Sequence, residues 1–464
     1  MNEKIKKLGS NTLWMLIGNF STKVLTFLLV PLYTYVLSTR EYGIIDLIIT
    51  SVSLLSPILT LSVTEGIIRL MFDNQCDNKQ IFSVSVYVSL MGFAILCSGY
   101  PIVFKIFSQE KLYMLFLLYY ISYVFLNIAQ QFAKGNNNVN VYVVSGIIST
   151  IITCILNIFF LLLIKLSVVG YLMSMILGST FGIIYIMYKE KLWEYILPIN
   201  KLDKKVFYIM MTYCIPLIPN SISWWISNSS DKYLLSFFVG VSVNGVYSVA
   251  YKIPSIITII SGILTSAWQI SAIEEYENEQ SSEFFSKVYN NYLSVYILLC
   301  SFIILFIKII AKILFVGVFF SAWKYSIILV FASLFQSMGV FLGIMYSVYK
   351  KTKVIFYTTL LGAMTNIILN GILIPTFGAT GAAFATLVSF VIVWGYRVID
   401  SSKFVNFENN IYKELISYLL ICIQICVTYF SVPLYYVISF VIFFVLIYIH
   451  KNLLISIRTI ILKK

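Results

Sequence analysis

The sequence predicts an all-α integral membrane protein with twelve to fourteen transmembrane helices, in two pseudo-symmetric six-helix lobes around a central cavity. Three observations lead there. The 464 residues are 60% hydrophobic and only 11% charged, with a mean hydropathy of +0.92, whereas soluble domains carry about 25% charged residues. The apolar runs are about 20 residues long, as a spanning helix requires, and lack the alternation of a membrane β-barrel. The two halves of the chain also resemble each other.

In chain order the predicted spans are 11–37, 43–68, 81–104, 112–133, 141–164 and 168–188. A lysine-rich stretch follows at 189–206. Spans 7 to 12 are predicted at 212–238, 245–270, 288–307, 324–349, 354–375 and 378–398. Two shorter segments, 413–431 and 433–450, precede a basic tail. The opening MNEKIKKLGSNTLW resembles a signal-peptide n-region. No A-x-A cleavage pattern follows, so it reads as a retained first span. The domain reading is an N-terminal lobe at 1–188, a cytoplasmic linker at 189–206, a C-terminal lobe at 207–398, and a C-terminal hairpin with its tail at 399–464.

The net charge of +13 is dispersed between apolar runs. That is the pattern of the positive-inside rule and not of a nucleic-acid surface. With the N-terminus in the cytosol, one side collects 22 lysines and arginines, including Lys189, Lys191, Lys201, Lys204 and Lys205, against 7 on the other. Both termini are therefore expected in the cytosol. Seven scattered cysteines form no CxxC, and His450 is the only histidine. This composition speaks against a metal site, a disulfide framework or a cofactor. No phosphate-loop motif is present, so the chain is expected to hydrolyse no ATP of its own.

The internal similarity aligns 16–43 with 217–245, pairing Asn19 with Asn220 and Gly43 with Gly245. It also aligns 155–176 with 368–387, pairing Asn157 with Asn370 and Gly170 with Gly381. Chance similarity of apolar sequence is the alternative. Six spans per copy keep both copies in the same orientation, as in transporters built from parallel repeats.

Helical periodicity places the polar residues on stripes. Span 2 carries Asp46, Thr50, Ser53, Pro57, Thr60 and Thr64 on one face. Span 7 carries Asn220, Trp224, Asn228 and Asp231, with Lys232 beside them. Spans 1 and 8 add Asn19 with Lys23, and Ser248 with Lys252. Serine and threonine alone are explained by helix–helix contact. The lysines are not, because a charge at mid-membrane costs about 2.5–3.5 kcal/mol and so faces a protein interior or a wet cavity. Lys23 and Lys252 are read as cavity cations for an anionic substrate. An ion pair with Asp46 or Asp231 is the competing reading. Glu65 and Arg69, one turn apart, are expected to pair locally. The ladders Ser149/Thr153/Asn157 and Gly362/Asn366/Asn370 are expected to be packing seams.

Three motifs then carry a family resemblance. Lys23, Pro31, Leu37 and Glu41-Tyr42-Gly43 resemble the first span and loop of bacterial polysaccharide flippases of the O-antigen transporter (Wzx) type. Pro216, Pro219, Trp225, Asp231-Lys232, Gly245, Tyr247 and Lys252 resemble their second half. So do Asn366, Asn370, Pro375, Gly378, Gly381 and Thr386. The family belongs to a superfamily shared with multidrug antiporters and the peptidoglycan lipid-precursor flippase. The resemblance implies a two-lobed transporter of the bacterial cytoplasmic (inner) membrane, not an enzyme. Its substrate would be an undecaprenyl-pyrophosphate-linked oligosaccharide, moved to the periplasmic leaflet for O-antigen and lipopolysaccharide biosynthesis. Lys23, Lys252 and Lys232 would then neutralise the pyrophosphate. Proton or sodium coupling would use Asp46 or Asp231, and polysaccharide polymerase machinery would be a further partner. Span 1 lacks an Arg-Asp pair and has Lys23 alone, which speaks against a peptidoglycan precursor. The alternatives are a multidrug or cation antiporter, which would want acidic cavity residues, and a membrane O-antigen polymerase, which would carry a large external loop.

Overall fold

The computed structural model describes residues 14, 18, 20–73, 76–99, 110–275, 281–349, 351–403, 405 and 411–453. Among them there are helices and no strands. The chain divides into two compact units, Met1–Trp225 and Ile226–Lys464. Ten described helices are long and apolar enough to cross a membrane, and one bent pair makes an eleventh. The N-terminal lysines, and Arg458, Lys463 and Lys464 of the tail, lie outside the described residues.

The first unit opens with α1 (Phe20–Val36), a shorter apolar helix. Ser38 then starts α2 (Thr39–Leu59) with a capping box. Its hydroxyl accepts from the Glu41 N–H at 3.3 Å, and the Glu41 carboxylate accepts from the Ser38 N–H at 2.8 Å. Two orphan donors are satisfied in this way. Glu41 also accepts from Ser167, which ties the start of α2 to the start of α7 (Ser167–Glu190).

The second predicted span is broken. Pro57 lies inside α2 and cannot donate to the helix ladder. Leu61 and Ser62 follow with φ of 50° and 55° before α3 (Val63–Phe72) resumes. Left-handed backbone at a non-glycine residue costs about 1–3 kcal/mol and persists only where its surroundings hold it. The Ser62 N–H donates to the Pro57 carbonyl at 2.9 Å, and Thr60 and Ser62 are fully buried. Gly92 of α4 (Asn78–Ser98) packs directly on the Leu59 carbonyl.

Behind the break lies the unit's core, centred on Phe82, Tyr120, Phe132 and Ile186. Phe132 belongs to α5 (Glu110–Gly135). Next, α6 (Val139–Ile158) packs against α7 through small residues, with Gly178 and Gly182 facing Ser149 and Thr153. The polar ladder on α6 is bonded along its own helix and once to α7, where Thr153 reaches the Ser174 carbonyl at 3.4 Å. The Thr153 hydroxyl donates to the Ser149 carbonyl at 2.8 Å, and the Asn157 amide to the Thr153 carbonyl at 2.9 Å. After α8 (Lys204–Cys214) comes α9 (Ile218–Phe238), along which the first unit gives way to the second.

In the second unit α10 (Val241–Ala250) and α11 (Ser255–Glu275) form one apolar segment bent by 47°. The bend falls at Tyr251–Pro254, where Pro254 removes a donor. Thus the predicted spans 2 and 8 are both broken, at different points along their length. After α12 (Ser281–Leu314), α13 (Trp323–Val348) is buried along most of its length, as suits a helix that is apolar on all sides.

The 50-residue α14 (Thr352–Ser401) is two spans folded back at Gly378, whose φ of 57° and ψ of −135° suit only glycine. Gly381 lets the returning helix rest on the Leu373 backbone. Further along the hairpin, Asn366 Nδ2 donates to Thr386 Oγ1 at 3.5 Å. Two helices finish the described chain, α15 (Ile411–Tyr429) and the shorter α16 (Tyr435–Ile449). Ser301 of α12 bonds Gln424 of α15 at 2.8 Å. His450 bridges Ser294 at 2.8 Å and Ser417 at 3.0 Å. Each of the fourteen predicted segments thus has its helix.

Arg397 is 2% exposed and fastens the hairpin. Its guanidinium donates to the Gly339 carbonyl at 2.7 Å, Thr358 Oγ1 at 3.0 Å and Thr359 Oγ1 at 3.2 Å. Charge-assisted hydrogen bonds contribute about 1.5–3 kcal/mol, and a buried acceptor left alone is costly. Arg397→Leu is therefore expected to lower the melting temperature in detergent by several degrees. An unchanged melting curve would show that these bonds contribute nothing.

Candidate functional site

The break in span 2 opens a polar cavity of about 420 Å³ within the first unit. Ser53, Pro57 and Thr64, three members of the predicted span 2 stripe, line it. From α9 come Asn220 and Trp224, both on the predicted span 7 stripe. From α5 come Tyr123, Asn127 and Gln131. The volume lies within the range of ordinary ligand pockets. The Ser53 hydroxyl donates to the Thr50 carbonyl at 2.7 Å, so its oxygen still offers lone pairs to a ligand. Trp225 Nε1 donates to the Thr50 carbonyl at 2.9 Å, holding α9 to α2 beside the cavity. Gln131 Oε1 is buried and has no hydrogen-bond partner among the described residues. A buried acceptor of this kind calls for a donor from water or a ligand.

Glu65 also lines this cavity. The expected Glu65–Arg69 pair is not what forms. Arg69 pairs instead with Asp73, at 3.4 Å. Both pairs are one turn apart on α3, so spacing alone could not choose between them.

A second polar cluster lies in the second unit. Asp231 is 1% exposed. Its Oδ2 accepts from the Tyr247 hydroxyl at 2.8 Å, the Tyr251 hydroxyl at 2.6 Å and Thr386 Oγ1 at 3.4 Å. Its Oδ1 accepts from the Lys232 N–H at 2.9 Å. The network continues through Asn366, whose Oδ1 accepts from Ser230 at 3.0 Å and from Asn370 at 2.8 Å. Four predicted spans (7, 8, 11 and 12) thereby meet around one carboxylate.

The remaining sequence candidates are dispersed. Lys232 is half-buried, with its ammonium 5.6 Å from the centre of the Tyr251 ring. Asn228, one turn before Asp231 on α9, accepts from Gln336 at 2.8 Å. Lys252 is half-buried in the turn that bends span 8. Lys23 is exposed on α1, and Asp46 is half-buried on α2 beside Tyr42. No ion pair among the described residues joins Lys23 or Lys252 to a carboxylate. Asn19 lies outside the described residues. No group of three or more His, Cys, Asp or Glu among the described residues could hold a metal ion.

Sequence reasoning missed the α5 contribution. Tyr123, Asn127 and Gln131 recur every four residues, so the count that found the span 2 stripe would have found them too. Tyr247 and Tyr251 share a face at the end of α10, next to the Ser248/Lys252 stripe, and periodicity names no partner for that face.

Among solved structures, the lipid II flippase MurJ in an inward closed conformation is similar to this chain. The TM-score is 0.72 at 18% identity, covering 97% of this chain and 99% of that one. An inward-facing multidrug resistance MATE family transporter of the MOP superfamily aligns with a TM-score of 0.64 at 14% identity, over 84% of this chain and 98% of that one. An outward-facing MATE transporter gives 0.60 at 15% identity, over 87% and 97%. At these identities the likeness shows a shared fold. Comparison with curated protein sequences finds no match. Residues 8–269, more than half of the chain, match the sequence profile of the family described as polysaccharide biosynthesis protein. With that match over more than half of its length, this multi-pass membrane chain belongs to the polysaccharide biosynthesis protein family.

Proposed function

We propose that the protein is a flippase that moves a lipid-linked oligosaccharide across the bacterial cytoplasmic membrane, with an undecaprenyl-pyrophosphate-linked O-antigen repeat unit as its substrate. It is a translocator and not a catalyst. The observation that carries this reading is the chemistry of the first unit's cavity. Amides, hydroxyls and one carboxylate stand beside Tyr123 and Trp224. Sugar hydroxyls need replacement hydrogen bonds when they leave water, because each one left unpaired costs about 4–8 kcal/mol in an alkane-like medium. Asn127, Gln131 and Asn220 can supply such bonds, and the aromatic rings present apolar faces to a pyranose. The family match supports the same reading.

Lys23, Lys252 and Lys232 are assigned to the pyrophosphate. A membrane negative inside drives an anion outward by about 2.3 kcal/mol per charge per 100 mV, so transport needs no ATP. Asp231 is assigned to the coupling ion, a proton or sodium, because its carboxylate lies among hydroxyl oxygens from several spans.

The test is flipping of lipid-linked oligosaccharide by the purified protein in liposomes. Gln131→Leu and Asn220→Leu are each expected to lower the rate at least tenfold with normal membrane accumulation. Lys23→Ala and Lys252→Ala should do the same, with partial recovery in the arginine variants. Full rates in all four variants would reject the cavity and the charge assignment together. Drug efflux with no glycan defect in a deletion strain would favour the multidrug antiporter reading.

A further inference from the structure

The segment between α7 and α8 carries more than a topology signal. It runs through two short 3₁₀ turns, Leu192–Tyr195 and Ile199–Lys201. Lys189, Lys191, Lys201, Lys204 and Lys205 are all exposed. Interleaved with them are exposed bulky apolar side chains: Tyr188 (72%), Trp193, Ile196, Ile199 (69%), Phe207 and Tyr208. The acidic groups nearby are engaged. Glu190 is buried and accepts from Asn138 at 2.8 Å and Asn136 at 3.1 Å. Glu194 pairs with Lys191 at 3.9 Å, and Asp203 caps α8 by accepting from the Lys205 N–H at 2.8 Å.

The backbone of this segment is clamped to α4. The Ser83 hydroxyl donates to the Tyr195 carbonyl and accepts from the Leu197 N–H, both at 2.8 Å. The Tyr87 hydroxyl donates to the Leu197 carbonyl at 2.9 Å. Gln80 donates to the Lys201 carbonyl and accepts from the Asp203 N–H, both at 3.0 Å. The Tyr195 ring packs edge-on against Phe132, with centroids 4.8 Å apart. The positive-inside rule explains lysines in a loop. It explains neither the apolar residues between them nor five hydrogen bonds that fix the loop's shape.

We infer that residues 188–208 form a preorganised shelf that binds the head groups of anionic phospholipids. The aromatic and aliphatic side chains enter the acyl boundary and the lysines meet the phosphates, the pairing that interfacial elements use. Because the clamp fixes the shelf before lipid arrives, little ordering is lost on binding. This inference rests on the membrane location of the chain and not on the proposed substrate.

The test uses the purified full-length protein with equimolar phosphatidylglycerol and phosphatidylcholine, counting retained lipids by native mass spectrometry. The wild type is expected to retain phosphatidylglycerol at least tenfold over phosphatidylcholine. The triple variant Lys201→Gln, Lys204→Gln, Lys205→Gln should cut that preference at least fivefold, with Lys189 and Lys191 left in place to hold topology. Ile196→Ser with Ile199→Ser, which keeps every charge, should lower total retention at the shelf. Lys308→Gln with Lys324→Gln, remote in sequence, should change nothing. An unchanged preference in the triple variant, or an equal fall in the remote one, overturns the proposal. So does displacement of phosphatidylglycerol by inorganic pyrophosphate at equal concentration, which would assign the lysines to a diphosphate group.

Discussion

Asp231→Ala is expected to produce the largest loss of stability of any single polar substitution in the second unit. The carboxylate accepts from two tyrosine hydroxyls, a threonine hydroxyl and a backbone N–H. Alanine removes that acceptor, and because the Tyr247 and Tyr251 hydroxyls lie 3.4 Å apart, one can donate to the other while the second is left without an acceptor there. A buried donor left unsatisfied costs about 1–3 kcal/mol. Set against a typical total of about 5–15 kcal/mol, this is a large fraction for one side chain. The measurement is melting temperature and monodisperse yield in detergent. Adding Tyr247→Phe and Tyr251→Phe to the alanine variant should recover part of the loss, because the stranded donor is then gone. Asp231→Asn keeps one acceptor and removes the charge. It should fold, and it should lose the dependence of flipping on the coupling ion. If Asp231→Ala melts like the wild type, the network does not hold this unit together.

Gly92→Leu is expected to prevent accumulation of folded protein altogether. Any Cβ at this position would overlap the Leu59 carbonyl oxygen, a backbone atom with no rotamer to escape into. Leu59 ends α2 immediately before the left-handed turn at Leu61 and Ser62. Separating α4 from α2 would therefore remove the support of a strained turn and deform the cavity that Pro57 and Thr64 line. Overpacking a core costs about 1–3 kcal/mol when side chains can adjust, and more when they cannot. Gly92→Ala should be milder in degree but affect the same properties. Gly395→Ala, with no atom near its Cβ position, is the neutral comparison. The readouts are membrane abundance and size-exclusion profile. Normal abundance of Gly92→Leu would mean that the two helices do not need this approach.

Much of the candidate site was legible as pattern. The stripe on span 2 and the stripe on span 7 each send residues into one cavity, Ser53, Pro57 and Thr64 from the first and Asn220 and Trp224 from the second. Periodicity reports which residues share a helix face, and a shared face of polar residues in a membrane must meet something polar. The same pattern misassigned Glu65, because Glu65–Arg69 and Arg69–Asp73 have equal spacing and only packing chose the second. It also gave no sign that Asp231 would be clasped by hydroxyls from another helix, since periodicity shows which residues share a face and not what that face meets.

The sequence by itself determined the class of the protein, its spans and the helix faces that carry polarity. Those follow from local chemistry, in which 20 apolar residues must form a helix to satisfy their backbone in lipid. Proline or glycine stands at the bends of span 8 and of α14, whereas only the tertiary structure decided the left-handed break in span 2. No glycine marks Leu61 and Ser62. Gly92 from another helix packs on Leu59 just before them, and Thr60 and Ser62 are buried. Strain of that kind is stable only when distant parts of the chain enclose it, so it leaves no local signature. The cavity beside this break, with its unpaired Gln131 oxygen, was likewise set by how the helices meet.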